Sequence, residues 1–247
     1  MTILAFDSTA VSASAALFSD GKVTAYTLSD NGLTHSETLL PMAEELCRRA
    51  QKDLSDIDLY AVTVGPGSFT GVRIGVATVK GLAFRTEEGV HNCVPVSTLE
   101  AIAEGLFPLD GIYVPVMDAR RGEVYHAIFR AEGGRLIRLC PDRAASLAVL
   151  AEELLRDYPD ETIRLAGDGY AVAYAHLSAT PLHIVPTPSL LRLQNAASVA
   201  RCAARAYERG EVCTDAALAP VYLRLPQAER DRLKKEKKET TMCGRTE

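Results

Sequence analysis

The chain has no Cys-x-x-Cys pair, no uninterrupted apolar run of membrane-spanning length and no excess of positive charge. Each absence removes a class of protein. The six cysteines (Cys47, Cys93, Cys140, Cys202, Cys213, Cys243) are scattered, which fits neither a zinc knuckle nor a secreted disulfide framework. A spanning helix needs roughly 20 consecutive apolar residues, so no membrane segment is expected. The formal net charge of −5 gives no chain-wide attraction to nucleic acid, so any RNA contact is expected to be indirect or minor. The N-terminus enters directly into Thr2-Ile3-Leu4-Ala5-Phe6-Asp7 without a basic region or cleavage site. It reads as a strand rather than a signal peptide, and a reducing cytoplasm is the expected location.

What is present is an ordinary globular composition. The 247 residues are 47% hydrophobic and 24% charged, enough for one large or two small domains. The richest stretch runs from Gly65 to Ala83, after the apolar run Leu59–Val64. Strand, glycine loop and helix together present backbone N–H groups and a positive helix end to an anion. The detail argues against a phosphate cradle, because Gly71 is followed by Val72 and Arg73 and not by Lys-Ser/Thr. Gly71, Gly75, Thr78 and Leu82 share one helix face at three-to-four spacing. Small residues there allow close backbone approach, either of the protein's own sheet or of a partner helix.

Taken in order, the chain opens with three antiparallel strands, the last two joined by the turn pair Asp20-Gly21. Thr34 and Glu37 form a candidate capping box for a helix whose inner face carries Leu39, Ala43, Leu46 and Ala50, with Leu40 and Cys47 beside it. Pro41 predicts a kink or a later start. The Leu59–Val64 strand, the glycine-rich helix, a strand near Asn92–Val96 and a helix from Ser97 follow. The second half repeats this order: a strand at 111–117 ending at Asp118, strands at 123–131 and 135–139 joined by Gly133-Gly134, a helix at 146–157, a strand at 162–166, a helix to Leu177, a short strand and a helix at 195–208. Three meander strands followed by βα crossovers predict a mixed sheet covered by helices. Two such lobes make the α/β, actin-like and RNase H-like architecture shared by actin, sugar kinases and Hsp70 nucleotide domains. The expected division is a first lobe at 1–107, a second at 108–225 whose last helix packs back on the first, and a flexible charged tail at 226–247.

In that architecture ATP sits between the lobes, with carboxylates from the first hairpin of each half holding its metal. Asp7 and Asp118 stand in comparable places, either in that role or as strand-end residues that make a turn. Asp7, Ser8, Thr9 and Asp118 are therefore the candidates for a vestigial nucleotide site. Neither carboxylate is flanked by the glycines of a working phosphate loop. A stand-alone actin-like ATPase or kinase remains the alternative.

Ala5-Phe6-Asp7-Ser8, His35–Pro41, Gly65–Gly75, Lys80–Ala83, Asp118–Tyr125 and Pro220–Arg224 together make the chain resemble the TsaB (YeaZ) family. The resemblance implies a non-catalytic subunit with no metal and no cofactor of its own, ATP or ADP binding only weakly or at a subunit junction. Its catalytic paralogue TsaD installs N6-threonylcarbamoyladenosine beside the anticodon of tRNAs reading ANN codons, assisted by the ATPase TsaE. TsaD-like proteins carry a His-x-x-x-His metal pair where this chain has Thr98 and Ile102. The resemblance further implies that the two helices carrying Leu39, Leu40, Ala43, Leu46, Gly71, Val72, Gly75, Thr78, Val79 and Leu82 form the surface that meets TsaD, or a second copy of the chain when alone. A serine-peptidase reading has little behind it, since Gly67-Ser68-Phe69 is not a Gly-x-Ser-x-Gly elbow.

Overall fold

The structure, a computed structural model, describes residues 1–84 and 92–224. The expected charged tail lies outside the described residues. The first lobe runs β1 (Thr2–Asp7), β2 (Ala13–Ser19), β3 (Lys22–Ser29), α1 (His35–Arg49), β4 (Leu59–Gly65), α2 (Phe69–Ala83), β5 (Cys93–Ser97) and α3 (Thr98–Leu106). The second runs β6 (Gly111–Asp118), β7 (Glu123–His126), β8 (Phe129–Glu132), β9 (Arg135–Arg138), β10 (Arg143–Ser146), α4 (Leu147–Asp157), β11 (Ile163–Ala166), α5 (Tyr170–Leu177), β12 (Ile184–Val185) and α6 (Ala196–Glu208).

The first sheet has the order β3-β2-β1-β4-β5, with β1, β4 and β5 parallel. The meander closes as its turn residues require, with Asp20 and Gly21 both at positive φ (54° and 78°). Alternation along β1 and β4 then sorts the core. Leu4, Phe6, Tyr60 and Val62 face α1 and α2, while Ile3, Ala5, Leu59 and Ala61 face the other layer with α6. Such strands are buried on both sides, which is why they read as continuous apolar runs.

The second sheet repeats the pattern around β6, with β11 and β12 parallel to it on one side. On the other side the sequence reading needs correction. The single strand expected at 123–131 is two strands, since β7 pairs with the C-terminal half of β6 and β8 with its N-terminal half. The break falls at Ala127-Ile128, where Ile128 N–H donates to Cys140 Sγ at 3.2 Å and its carbonyl accepts from Leu139 N–H at 2.8 Å. β10, an unexpected strand, pairs antiparallel with β7. The result is the two-lobed, actin-like α/β fold.

Two helices join the lobes. α3 turns Leu99, Ile102, Ala103 and Leu106 toward Tyr113, Met117 and Phe129 of the second sheet, while its Ala101 packs with the first. α6 returns to the first sheet and meets α3 at Glu104, which is 3% exposed and held by Arg201 at 2.8 Å and Arg205 at 2.7 Å. A carboxylate that buried persists because both its oxygens are paired. At the start of α1 the predicted capping box does not form. The Thr34 side chain makes no cap bond to the helix, and its Oγ1 lies 3.3 Å from Ser36 Oγ. The helix nevertheless starts at His35 and continues through Pro41, so Pro41 does not mark a later start.

Candidate functional site

A cavity of about 610 Å³ opens between the lobes, lined by Ser68 and Phe69 from the glycine-rich segment, Asp118 and Arg120 after β6, Asp168 before α5, and Tyr222 from the C-terminal segment. The actin-like clamp would need a reachable carboxylate from each lobe. The first lobe's candidate, Asp7, is not reachable. Asp7 is fully buried, and its oxygens accept from Thr63 Oγ1 at 2.6 Å and from Thr9 Oγ1 at 3.1 Å and backbone N–H at 3.3 Å. Burial raises its pKa above the ordinary carboxylate range, against the opposing hydrogen bonds from Thr63 and Thr9 and the nearby His35.

The glycine-rich segment is what shuts this side. Ser68 N–H donates to Thr9 carbonyl at 2.7 Å and Ser8 Oγ donates to Gly71 carbonyl at 2.9 Å. A Cβ on Gly71 would lie 2.0 Å from Ser8 carbonyl oxygen, and one on Gly67 would lie 2.6 Å from that of Thr9. The loop after β1, the place of a phosphate loop in actin-like folds, is pressed against the α2 N-terminus. His35 pins it from the other side, its Nε2 donating to Ala10 carbonyl at 2.8 Å. A metal-bound nucleotide held between two carboxylates does not fit this arrangement.

The second lobe keeps its carboxylates open. Asp118 sits half-buried at the cleft, with its Oδ1 accepting from Arg120 N–H at 2.7 Å. Arg120 and Arg121 both hold positive φ (65° and 59°), an uncommon conformation for non-glycine residues. Asp168 Oδ1 accepts from Asp118 N–H at 3.1 Å. Asp168 was missed in the sequence. It is the glycine-flanked carboxylate of Gly167-Asp168-Gly169, and the signal was the glycine pair at the end of a strand parallel to β6. Those glycines serve packing, because a Cβ on Gly167 would lie 2.1 Å from Val116 carbonyl oxygen and one on Gly169 3.0 Å from Asp118 nitrogen. The Asp168 carboxyl is held up at about 6, chiefly by desolvation against the cleft walls and then by the Asp118 and Asp7 carboxylates.

Asp7 gives a pH signature. Its folded-state pKa lies above the unfolded one, so its contribution is present at pH below about 4 and is lost as pH rises through the folded value. Relative to the parent, Asp7→Asn should therefore hold its urea midpoint better between acid and neutral pH. Parallel midpoint-versus-pH curves for the two proteins would refute this.

The expected partner-facing residues divide. Eight of the ten are core: Leu39, Ala43, Leu46, Val72, Val79 and Leu82 are at most 9% exposed, and Gly71 and Gly75 are buried as well. Gly75 is small for an internal reason, since a Cβ there would lie 2.7 Å from Ser8 Oγ and 3.1 Å from Val62 Cγ2. Both glycines make room for the protein's own atoms, the Ser8 backbone at Gly71 and the Ser8 and Val62 side chains at Gly75. Leu40, 44% exposed, and the half-buried Thr78 do face outward. Around them lie exposed Leu33 and Pro41, then Ala77, Gly81 and Phe84, with Phe84 77% exposed. α1 and α2 pack side by side, and these mostly apolar residues are exposed on or beside them, with Glu37, Glu44 and Arg73 exposed on the same helices.

Thr98 and Ile102, at the positions of the expected histidine pair, are both buried, Ile102 against the second lobe's core. Neither side chain is a transition-metal ligand in the usual sense. Among the described residues, no group of three or more His, Cys, Asp or Glu is arranged to hold a metal, and no helix is long and apolar enough to cross a membrane.

Comparison with known proteins gives the family. The profile of the family described as TsaD, tRNA N6-adenosine threonylcarbamoyltransferase, matches residues 31–231. The tRNA threonylcarbamoyladenosine biosynthesis protein TsaB of Bacillus subtilis is 37% identical over 62% of this chain and 66% of its own length. That of Escherichia coli is 37% identical over 53% and 56%, and that of Haemophilus influenzae 29% identical over 91% and 94%. The chain thus spans less than two thirds of the first two relatives. Among solved structures, YeaZ from Pseudomonas aeruginosa superposes with a TM-score of 0.72 at 27% identity, over 90% of this chain and 99% of its own. A second Pseudomonas aeruginosa structure, of a protein described as similar to peptidase YEAZ, reaches 0.76 at 28% identity with the same coverage. The chain belongs to the TsaD-type tRNA N6-adenosine threonylcarbamoyltransferase family, on its TsaB/YeaZ side.

Proposed function

We propose that the chain is a non-catalytic subunit in N6-threonylcarbamoylation of the adenosine beside the anticodon in tRNAs reading ANN codons. It pairs with the catalytic paralogue TsaD, and the ATPase TsaE joins them. The observation that carries this reading is that buried Thr98 and Ile102 stand where the resemblance places the paralogue's histidines, in a chain that matches the TsaD family profile over residues 31–231. The sealed Asp7 side of the cleft supports a chain with no nucleotide cofactor of its own. Docking uses the outer face of α1 and α2, around Leu40, Ala77, Thr78 and Gly81, and the same face joins two copies when TsaD is absent. The net charge of −5 suits a subunit whose contact with tRNA is minor.

A serine-peptidase activity has no support in the geometry. Ser68 Oγ accepts from Gly71 N–H at 3.2 Å as a helix cap, and His35 is engaged with Ala10. Among the described residues, no hydrogen bond joins a serine hydroxyl to a histidine, as a nucleophile and its base would be. Reconstitution tests the reading. TsaD, TsaE, a substrate tRNA and threonylcarbamoyl-adenylate are combined with and without this chain, and modified adenosine is measured by mass spectrometry. Transfer should require both TsaD and this chain. Transfer by this chain without TsaD, or full transfer without it, would overturn the assignment.

A further inference from the structure

The segment after α6 does not simply trail away from the fold. It first pairs with the edge of the first sheet, where Cys213 and Cys93 exchange backbone hydrogen bonds at 2.9 and 3.0 Å. It then buries Leu218 in the core between β4 and α2. Lys80 on α2 donates through Nζ to the carbonyls of Ala216 at 3.2 Å and Leu218 at 3.0 Å. Val221 N–H donates to Val64 carbonyl at 2.7 Å, at the end of β4. Gly65 is the seat for this contact, because a Cβ there would lie 2.5 Å from Val221 carbonyl oxygen.

Three residues later the segment has crossed to the other lobe. Tyr222 packs its ring 5.0 Å from that of Phe69, and its hydroxyl accepts from Arg73 Nε at 2.8 Å. The Arg73 guanidinium stacks over the Phe69 ring at 3.8 Å, so three side chains form one layered contact. Arg224 then pairs with Glu123 on β7 at 2.6 Å, its side chain only 17% exposed. Tyr222 and Arg224 both line the cavity between the lobes. The two ends of this short run are thus anchored on opposite sides of the cleft.

We propose that Pro220–Arg224 is a latch across the cleft, holding the two lobes together, and that Arg73 on α2 sets its grip. Arg73 is exposed on the helix whose neighbouring surface is the proposed docking face. A partner that recruits its guanidinium takes the hydrogen bond from Tyr222 and loosens the latch. Docking and cleft opening are then coupled through one side chain, without contact between the partner and the cleft. The coupling half of the inference rests on the docking reading, whereas the latch itself is a property of the free chain.

Hydrogen exchange on the full-length chain reads both. In the free protein, Arg73→Ala and Arg224→Gln should each raise exchange by about tenfold in peptides covering 65–72 and 119–126, because a charge-assisted bond at one end of the latch is lost. Peptides of β1 and β11 should stay as slow as in the parent. Unchanged exchange at 119–126 in both variants would overturn the latch, as would a rise spread evenly over both sheets, which marks a general loss of stability. Adding TsaD to the parent should raise exchange at 119–126, and binding without that rise overturns the coupling. Absence of any TsaD binding would count against the docking reading alone, since the free-chain comparison still decides the latch.

Discussion

Gly71→Ala should destabilise the fold by about 3 kcal/mol or more, even though alanine is the better helix former. The new methyl would lie 2.0 Å from Ser8 carbonyl oxygen. Neither side can yield cheaply. Ser8 follows the end of β1 and holds α2 through its own bond to Gly71 carbonyl, and Asp7 beside it is fixed by Thr9 and Thr63. Relief requires α2 to move off the sheet, which exposes Val72, Val76 and Val79 of the first core. Gly81→Ala makes the opposite case on the same helix. It is exposed, nothing lies within 4 Å of its added Cβ, and the substitution should stabilise by up to about 1 kcal/mol. At roughly 2–4 °C per kcal/mol for a chain of this size, the melting temperatures should move in opposite directions. Gly71→Ala melting with the parent would mean that the contact with Ser8 does not hold α2 in place.

That contrast also shows where sequence reasoning stops. The three-to-four spacing of Gly71, Gly75, Thr78 and Leu82 identifies a face of small residues but is silent on what approaches it. The answer, Ser8, stands some sixty positions away and becomes a neighbour only when β1 and β4 pair in parallel. The strands themselves were legible because both their faces are buried and their runs are apolar throughout. The Asp20-Gly21 turn was legible because both residues tolerate positive φ. By contrast, Arg143–Ser146 is an edge strand of half-buried, mostly small or polar residues, without the apolar alternation that marks a strand. The division at Ala127-Ile128 was hidden for the opposite reason, because its residues are as apolar as a strand interior and both are buried. Asp118 was found at a strand end, but Asp168 was not, since only the parallel pairing of β6 with β11 brings the two carboxylates to one cleft.

Burial also decides which substitutions can test partner docking. A bulky residue at Gly75 would strike Ser8 Oγ and Val62, so lost binding there would report a damaged fold. The informative positions lie on the outer face. In Leu40→Glu/Ala77→Glu, two carboxylates replace an exposed leucine and an exposed alanine on adjacent helices. Neither position belongs to the core, so the melting temperature should stay within a few degrees of the parent's. In a complex the same carboxylates would be taken out of water without partners, at a cost of about 3–5 kcal/mol for an uncompensated buried charge. TsaD affinity should therefore fall by at least about a hundredfold, as measured by calorimetry, and self-association of the free chain should weaken with it. A variant that folds normally and binds TsaD with the parent's affinity would remove α1 and α2 from the interface. It would leave the buried Thr98 and Ile102, and with them the reading of a non-catalytic subunit, untouched.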